Sequence, residues 1–209
     1  SKKRFVNSLE PFAYVKLGFF KKEKRDLVRV DYADLIDSFP GIKKDIGKIA
    51  FGSSFLELLN NLLGEEHKNP KVFVLLLRFL NALKDIGDFK RLMPLYELRL
   101  ISILGYRPSL NTCVICKSRV NDEKGVSFSI AKGGVICLSC QSAAGILKSI
   151  SRETIKVFKN SLKVESVELA NMRLGDNGTG EATKLLREFI TYQLGKSPKS
   201  WRFIDELAE

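Results

Sequence analysis

The chain of 209 residues is long enough for one large domain or several small modules, and a hydrophobic content of 44% supports a packed core over disorder. No run approaches the ~18 consecutive apolar residues of a membrane-spanning helix, and no charged-then-apolar leader is visible, so a soluble cytoplasmic protein with no membrane role is expected. Lys and Arg outnumber Asp and Glu by 35 to 24, a net charge of +11, which favours polyanionic partners through long-range attraction and counterion release.

The cationic excess is concentrated at the front. Residues 1–30 hold nine cations (Lys2, Lys3, Arg4, Lys16, Lys21, Lys22, Lys24, Arg25, Arg29) against three anions (Glu10, Glu23, Asp26), a local charge of +6. Residues 12–20 and 27–34 are rich in aromatic and β-branched side chains and flank the polar run 21–26, which predicts a hairpin. Alternation places Val15, Leu17 and Phe19 on one face, with Tyr14 and Lys16 on the other. A lone hairpin is marginal in water, so it is expected to belong to a larger sheet whose other strands lie upstream.

From Gly41 the period becomes helical: Ile42, Ile46, Ile49, Leu56, Leu59 and Leu63 predict one helix ended by Gly64. Asn69-Pro70 reads as an N-cap followed by proline in the first turn. The segment 72–86 is apolar on nearly every side and predicts a buried helix. A third helix is expected over about 89–104, with Pro94 kinking it or sitting in its first turn and Gly105 closing it. Ser151 is placed to cap a helix through about 163, and residues 171–180 read as a loop. A final amphipathic helix is expected from about 181 to 194, followed by the basic tail 196–203.

All four cysteines fall in one segment, as Cys113-Val-Ile-Cys116 and Cys137-Leu-Ser-Cys140. Two-residue gaps turn both sulfurs of a pair toward one point, and two such knuckles complete a tetrahedron around one structural zinc ion. Four thiolates leave no open coordination position, so the site would not be catalytic. Two disulfides or a redox pair are the competing readings; the first needs an oxidising compartment and the second only one Cys pair. Val126, Phe128 and Ile130, followed by Gly133-Gly134, fit a small hairpin between the knuckles.

His67 is the only histidine and lies in a polar stretch between helices, where a solvated loop residue is expected. No phosphate-cradling glycine loop of the Walker or dinucleotide-binding type appears, and no carboxylate pair stands out. The reading is therefore of a protein that is not an enzyme.

Several stretches resemble the bacterial recombination mediator family RecO: Ser8-Leu9-Glu10-Pro11-Phe12, Asp34-Leu35-Ile36-Asp37-Ser38-Phe39, Tyr96-Glu97-Leu98-Arg99-Leu100 with Leu104-Gly105-Tyr106, and Gly195-Lys196-Ser197-Pro198-Lys199-Ser200. The resemblance implies an α+β multi-module chain: an incomplete OB-fold sheet over residues 1–34, a helical domain over 35–110, and a four-cysteine zinc-finger module over 111–145. A C-terminal helical part over 146–209 would pack on the helical domain and end in the basic tail. It also implies binding of single- and double-stranded DNA, strand annealing, and work with RecR, with the acidic C-terminal tail of single-stranded DNA-binding protein and with RecA. Such a protein would be nucleoid-associated.

On this view the expected DNA-contact residues are Lys2, Lys3, Arg4, Lys16, Lys21, Lys22, Lys24 and Arg25. Lys196, Lys199 and Arg202 either extend the phosphate track or are simply solvated. Tyr14 stacks on a base or packs in the sheet; Trp201 stacks or folds back on the preceding helix. For the partner's acidic tail, an apolar groove beside Leu95 and Leu98 with Arg78, Arg91 and Arg99 on its rim is expected. The alternative is a zinc-ribbon adaptor for RNA or the transcription machinery, and a dispersed active site is a third reading.

Overall fold

A computed structural model describes residues 5, 7–21, 27–64, 68–120, 126–172 and 174–207. The chain opens with an antiparallel hairpin, β1 (Tyr14–Lys21) and β2 (Val28–Asp37). Val15, Leu17 and Phe19 pair with Leu35, Ala33 and Val30, and Lys16, Gly18 and Phe20 with Asp34, Tyr32 and Arg29. The register slips where Tyr32 is followed by Val30 as partner, so Asp31 is an extra residue that re-phases β2. The Tyr32 ring covers Gly18, where a Cβ would lie 2.1 Å from a ring carbon; only glycine fits beneath it. Among the described residues this sheet has two strands, and Leu17, Phe19, Val28 and Leu35 remain exposed on its apolar face. β2 runs to Asp37, so the expected boundary at 34/35 falls inside a strand.

The single helix expected after Gly41 is two: α1 (Pro40–Lys43) and α2 (Ile46–Leu62). Asp45 interrupts the pattern, because its carboxylate accepts from the N–H groups of Gly47 and Lys48 and starts a new helix. Asn69 caps α3 (Pro70–Asp85) by accepting from Val72 N–H. α3 is not buried all round. Val72, Leu75, Phe79 and Leu83 face the core, whereas Phe73 and Val74 are about half exposed. A 3-10 turn (Phe89–Arg91) leads into α4 (Leu92–Ile103), with Pro94 in its first turn. Phe55, Phe79 and Tyr96 bring α2, α3 and α4 together as tilted and edge-on rings 4.3–6.4 Å apart.

Beyond the cysteine segment, β3 (Val126–Ser129) pairs with β4 (Gly134–Ile136) and with β5 (Lys148–Ile150). The sheet thus extends past the expected boundary at 145. α5 (Arg152–Ser161) follows, its N-terminus capped by Ser151, and a 3-10 turn spans Glu168–Asn171. Of the stretch 171–180 read as a loop, residues 176–180 open α6 (Asp176–Leu194). Asp176 suits a helix N-terminus, and Gly178 sits tight against Leu174, so that glycine marks close packing and not a break. Nor is the C-terminus a free tail. α7 (Ser200–Glu206) packs on α2, burying Trp201 and Ile204, while Glu57 of α2 accepts from the N–H groups of Lys199 and Ser200. Among the described residues no helix is long and apolar enough to cross a membrane.

Candidate metal centre and nucleic-acid interface

The first cysteine pair lies in a strap after α4. Its turn closes through Cys113 N–H to Ser118 O and Lys117 N–H to Cys113 O, with Lys117 in the left-handed region. Val114 N–H donates to Val135 O and ties the strap to β4. β4 runs directly into Cys137, and the 3-10 turn Leu138–Ala143 brings Cys140 back toward it. Gly134 is required at the crossing, since a Cβ there would lie 2.5 Å from the Ser109 carbonyl oxygen. Phe128 of β3 meets Phe189 of α6 edge-on at 5.9 Å, so the module is anchored to the helical core.

These contacts gather the four Sγ atoms within 4.8 Å of one another, with Cys116 and Cys137 sulfurs 3.7 Å apart. A tetrahedral ion with bonds of ~2.3 Å needs sulfurs about 3.8 Å apart. All four are free thiols, and a redox pair would have no use for the second knuckle. Burial opposes ionisation of Cys113, but the backbone N–H groups of Cys137, Cys116 and Ile115 prevail and bring its pKa down to about 6. The Cys140 thiol, hydrogen-bonded to Cys137 and then to Cys116, is pushed up to about 12. Cys113 ionises readily while its sulfur neighbours hold Cys140 protonated; a bound cation favours the thiolate at every position. The four cysteines are therefore close enough, and of the right chemistry, to hold a metal ion.

Of the expected DNA contacts, Lys2, Lys3, Arg4, Lys22, Lys24 and Arg25 lie outside the described residues, as does His67. Lys16 is exposed on the hairpin opposite Asp34, and Lys21 sits at the end of β1 opposite Val28. Lys196, Lys199 and Arg202 are exposed, with Arg202 paired to Glu206 at 3.0 Å. Tyr14 packs edge-on against Phe73 of α3, and Trp201 folds back beneath the Arg187 guanidinium. Phe20 and Tyr32 are exposed on the hairpin face that also carries Lys16 and Arg29; the Arg29 guanidinium lies 6.0 Å from the Phe20 ring centre. Simple alternation hid this face, because the bulge at Asp31 moves Tyr32 onto it.

The expected acidic-tail groove is corrected by the structure. Leu95 and Leu98 have no exposure at all and belong to the core. Arg99 donates to the carbonyls of Ser161 and Val164, closing the end of α5 as a cation at a helix C-terminus. Arg91 is engaged by Asp88 at 2.6 Å and Asp176 at 3.0 Å. Arg78 is exposed on α3, and its carbonyl lies beside the Tyr96 hydroxyl. Their helical spacing reflects packing between α4, α5 and α6.

Comparison with known proteins adds an independent line. Residues 43–202 match the family described as recombination protein O C terminal. The chain is similar to the DNA repair protein RecO of Syntrophus aciditrophicus (strain SB), 33% identical over 209 residues that cover 99% of this chain and 81% of that protein. It is likewise 30% identical to the DNA repair protein RecO of Thermoanaerobacter sp. (strain X514), over 99% of this chain and 82% of that protein. That of Desulfatibacillum aliphaticivorans is 31% identical, over 98% and 81%.

Proposed function

The chain belongs to the RecO family of DNA repair proteins, and on that premise we propose that it is a non-catalytic mediator of homologous recombination. It binds single- and double-stranded DNA, anneals complementary strands, and helps load recombinase onto DNA coated by single-strand-binding protein. RecR, the acidic tail of that protein and the RecA pathway are its partners, in the cytoplasm at the nucleoid. The observation that carries this reading is the match to DNA repair relatives in a chain of net charge +11.

Physical chemistry supports each part. Annealing requires two repelling phosphate backbones to be neutralised together, which a cationic surface does without chemistry on a bond. The hairpin, with an uncovered apolar face behind and Lys16, Phe20, Arg29 and Tyr32 in front, suits one part of an OB-type sheet that stacks bases and tracks phosphates. Zinc is the ion we assign to the four thiolates, in a purely structural role.

The test is a salt series of binding to single-stranded DNA, duplex DNA and RNA of equal length, with annealing of complementary strands followed in parallel. Affinity for both DNA forms that falls linearly with the logarithm of salt, and annealing that falls with it, supports the reading. Preference for RNA with no annealing would favour the zinc-ribbon adaptor.

A further inference from the structure

The cysteine module has a second concave feature, formed with α5. Between the strap 107–112 and the end of α5 lies a cleft of about 300 Å³. Arg107, Ser109, Asn111 and Thr112 line one side; Lys159 and Lys163 line the other, and no Asp or Glu lines it among the described residues. Arg119 adjoins it, because Thr112 and Arg119 form a β-bridge.

The walls are held in place. Ser109 N–H donates to Gly133 O and Val135 N–H to Ser109 O, fixing the strap to β4. Ser109 Oγ donates to the Thr112 carbonyl, and Val120 N–H donates to Asn111 O. The Asn111 amide and the Thr112 hydroxyl on a fixed backbone, facing the Lys163 ammonium and the Arg107 guanidinium, complement a group that is anionic and offers several acceptor oxygens. A volume at the bottom of the range for ligand sites is ample for one phosphate group. A phosphate contact fixes the strand's position and carries no sequence information. Tyr106, 42% exposed, precedes Arg107 and offers a ring on which an unpaired base can stack.

We propose that this cleft grips a phosphodiester of single-stranded DNA, forming a second contact separate from the hairpin. The inference rests on the DNA-binding reading above and adds a location to it. It also gives the metal centre a consequence beyond stability: Asn111 and Thr112 immediately precede Cys113, so the knuckle that gathers the sulfurs also sets one wall of the cleft.

The experiment is fluorescence anisotropy with a labelled oligothymidylate on the full chain, across a salt series. Neutralising two phosphate contacts lowers the logarithmic salt slope by about 1.4 and, extrapolated from 1 M to 0.1 M salt, weakens binding about 25-fold. That is the expected result for the double substitution Arg107→Gln/Lys163→Gln, both exposed and outside the core. The charge-preserving pair Arg107→Lys/Lys163→Arg is expected to stay within about threefold of the parent. If the parent binds and the neutral pair keeps its affinity and slope, the cleft is not a contact and this inference falls alone. Equal losses in the neutral and charge-preserving pairs would also overturn it. A parent chain that ignores the oligonucleotide at low salt removes the DNA-binding reading itself.

Discussion

Glu97 of α4 should make the protein's stability depend on pH in a direction opposite to that of most carboxylates. It is 1% exposed, and neither carboxylate oxygen accepts a hydrogen bond. Burial pushes its pKa from 4.5 up to about 8, against the field of Arg187 and the nearby indole N–H of Trp201. Folding therefore favours the protonated acid. Its stabilising contribution is complete below about 4.5, declines as the pH rises because only the unfolded chain releases the proton, and is lost on passing about 8. At about 1.4 kcal/mol per pH unit the interval amounts to about 5 kcal/mol, an upper bound for a site that relaxes on ionising. Glu97→Gln keeps the shape and removes the titration. Urea unfolding of both proteins from pH 5 to 9 should show the variant gaining on the parent by several kcal/mol toward alkaline pH. The difference between the two profiles isolates Glu97 from every other titrating group. Parallel profiles would refute the reasoning.

Cys137→Ser removes one of four thiolates and should cut bound metal from one equivalent per chain to a small fraction. It should also destabilise the fold by several kcal/mol, read by metal analysis and thermal melting; an unchanged melt would contradict a structural metal. Gly134→Ala forces a Cβ against the Ser109 carbonyl, so a loss of about 1–3 kcal/mol is expected in chemical denaturation, and none would deny the close crossing. Glu57→Ala deprives the Lys199 and Ser200 N–H groups of their acceptor and should weaken α7 by about 1 kcal/mol, seen as faster hydrogen exchange at those amides. Burial works against the Glu57 carboxylate, yet these bonds hold its pKa below the usual value. Its contribution is thus present above about 4.5 and disappears as the pH falls through the lowered value. Phe20→Ala with Tyr32→Ala should weaken single-stranded DNA binding about tenfold or more while leaving the melt nearly unchanged; intact binding would remove the hairpin face from the interface.

What could be read in advance depended on whether the deciding interaction was local. Asn69-Pro70 and Ser151 announce helix starts because the capping bond forms within three residues. The cysteine spacing announces a cluster because each knuckle is a local turn. The misreadings share the opposite cause. Asp45 looked like one more polar residue in a helical period, and only its bonds to Gly47 and Lys48 reveal a second start. Leu95, Leu98 and Arg99 have the composition of a binding groove, but the carbonyls that Arg99 meets lie more than sixty residues away. The run 196–203 read only as a basic tail, with Trp201 either stacking or folding back, because its anchor, Glu57, is over 140 residues distant.

The distribution of acid engagements explains how the positive excess stays available to a partner. Asp45, Glu57 and Glu181 serve backbone N–H or hydroxyl groups at helix starts, so their charge is tied to folding geometry. Asp37, Asp176, Glu188 and Asp205 pair with Lys84, Arg91, Lys148 and Arg187, which tie one element to another. Placed this way, the carboxylates offset cations at the joints of the fold, and among the described residues none of them lines the cleft between the strap and the end of α5. A lysine or arginine that already has a carboxylate partner gains little from a phosphate, because the new contact costs the existing ion pair. Substituting joint cations such as Arg187 should therefore cost stability first, and substituting cleft cations should cost affinity first. A chain in which both kinds of substitution lowered DNA affinity equally at unchanged stability would mean that net charge, and not its placement, does the binding.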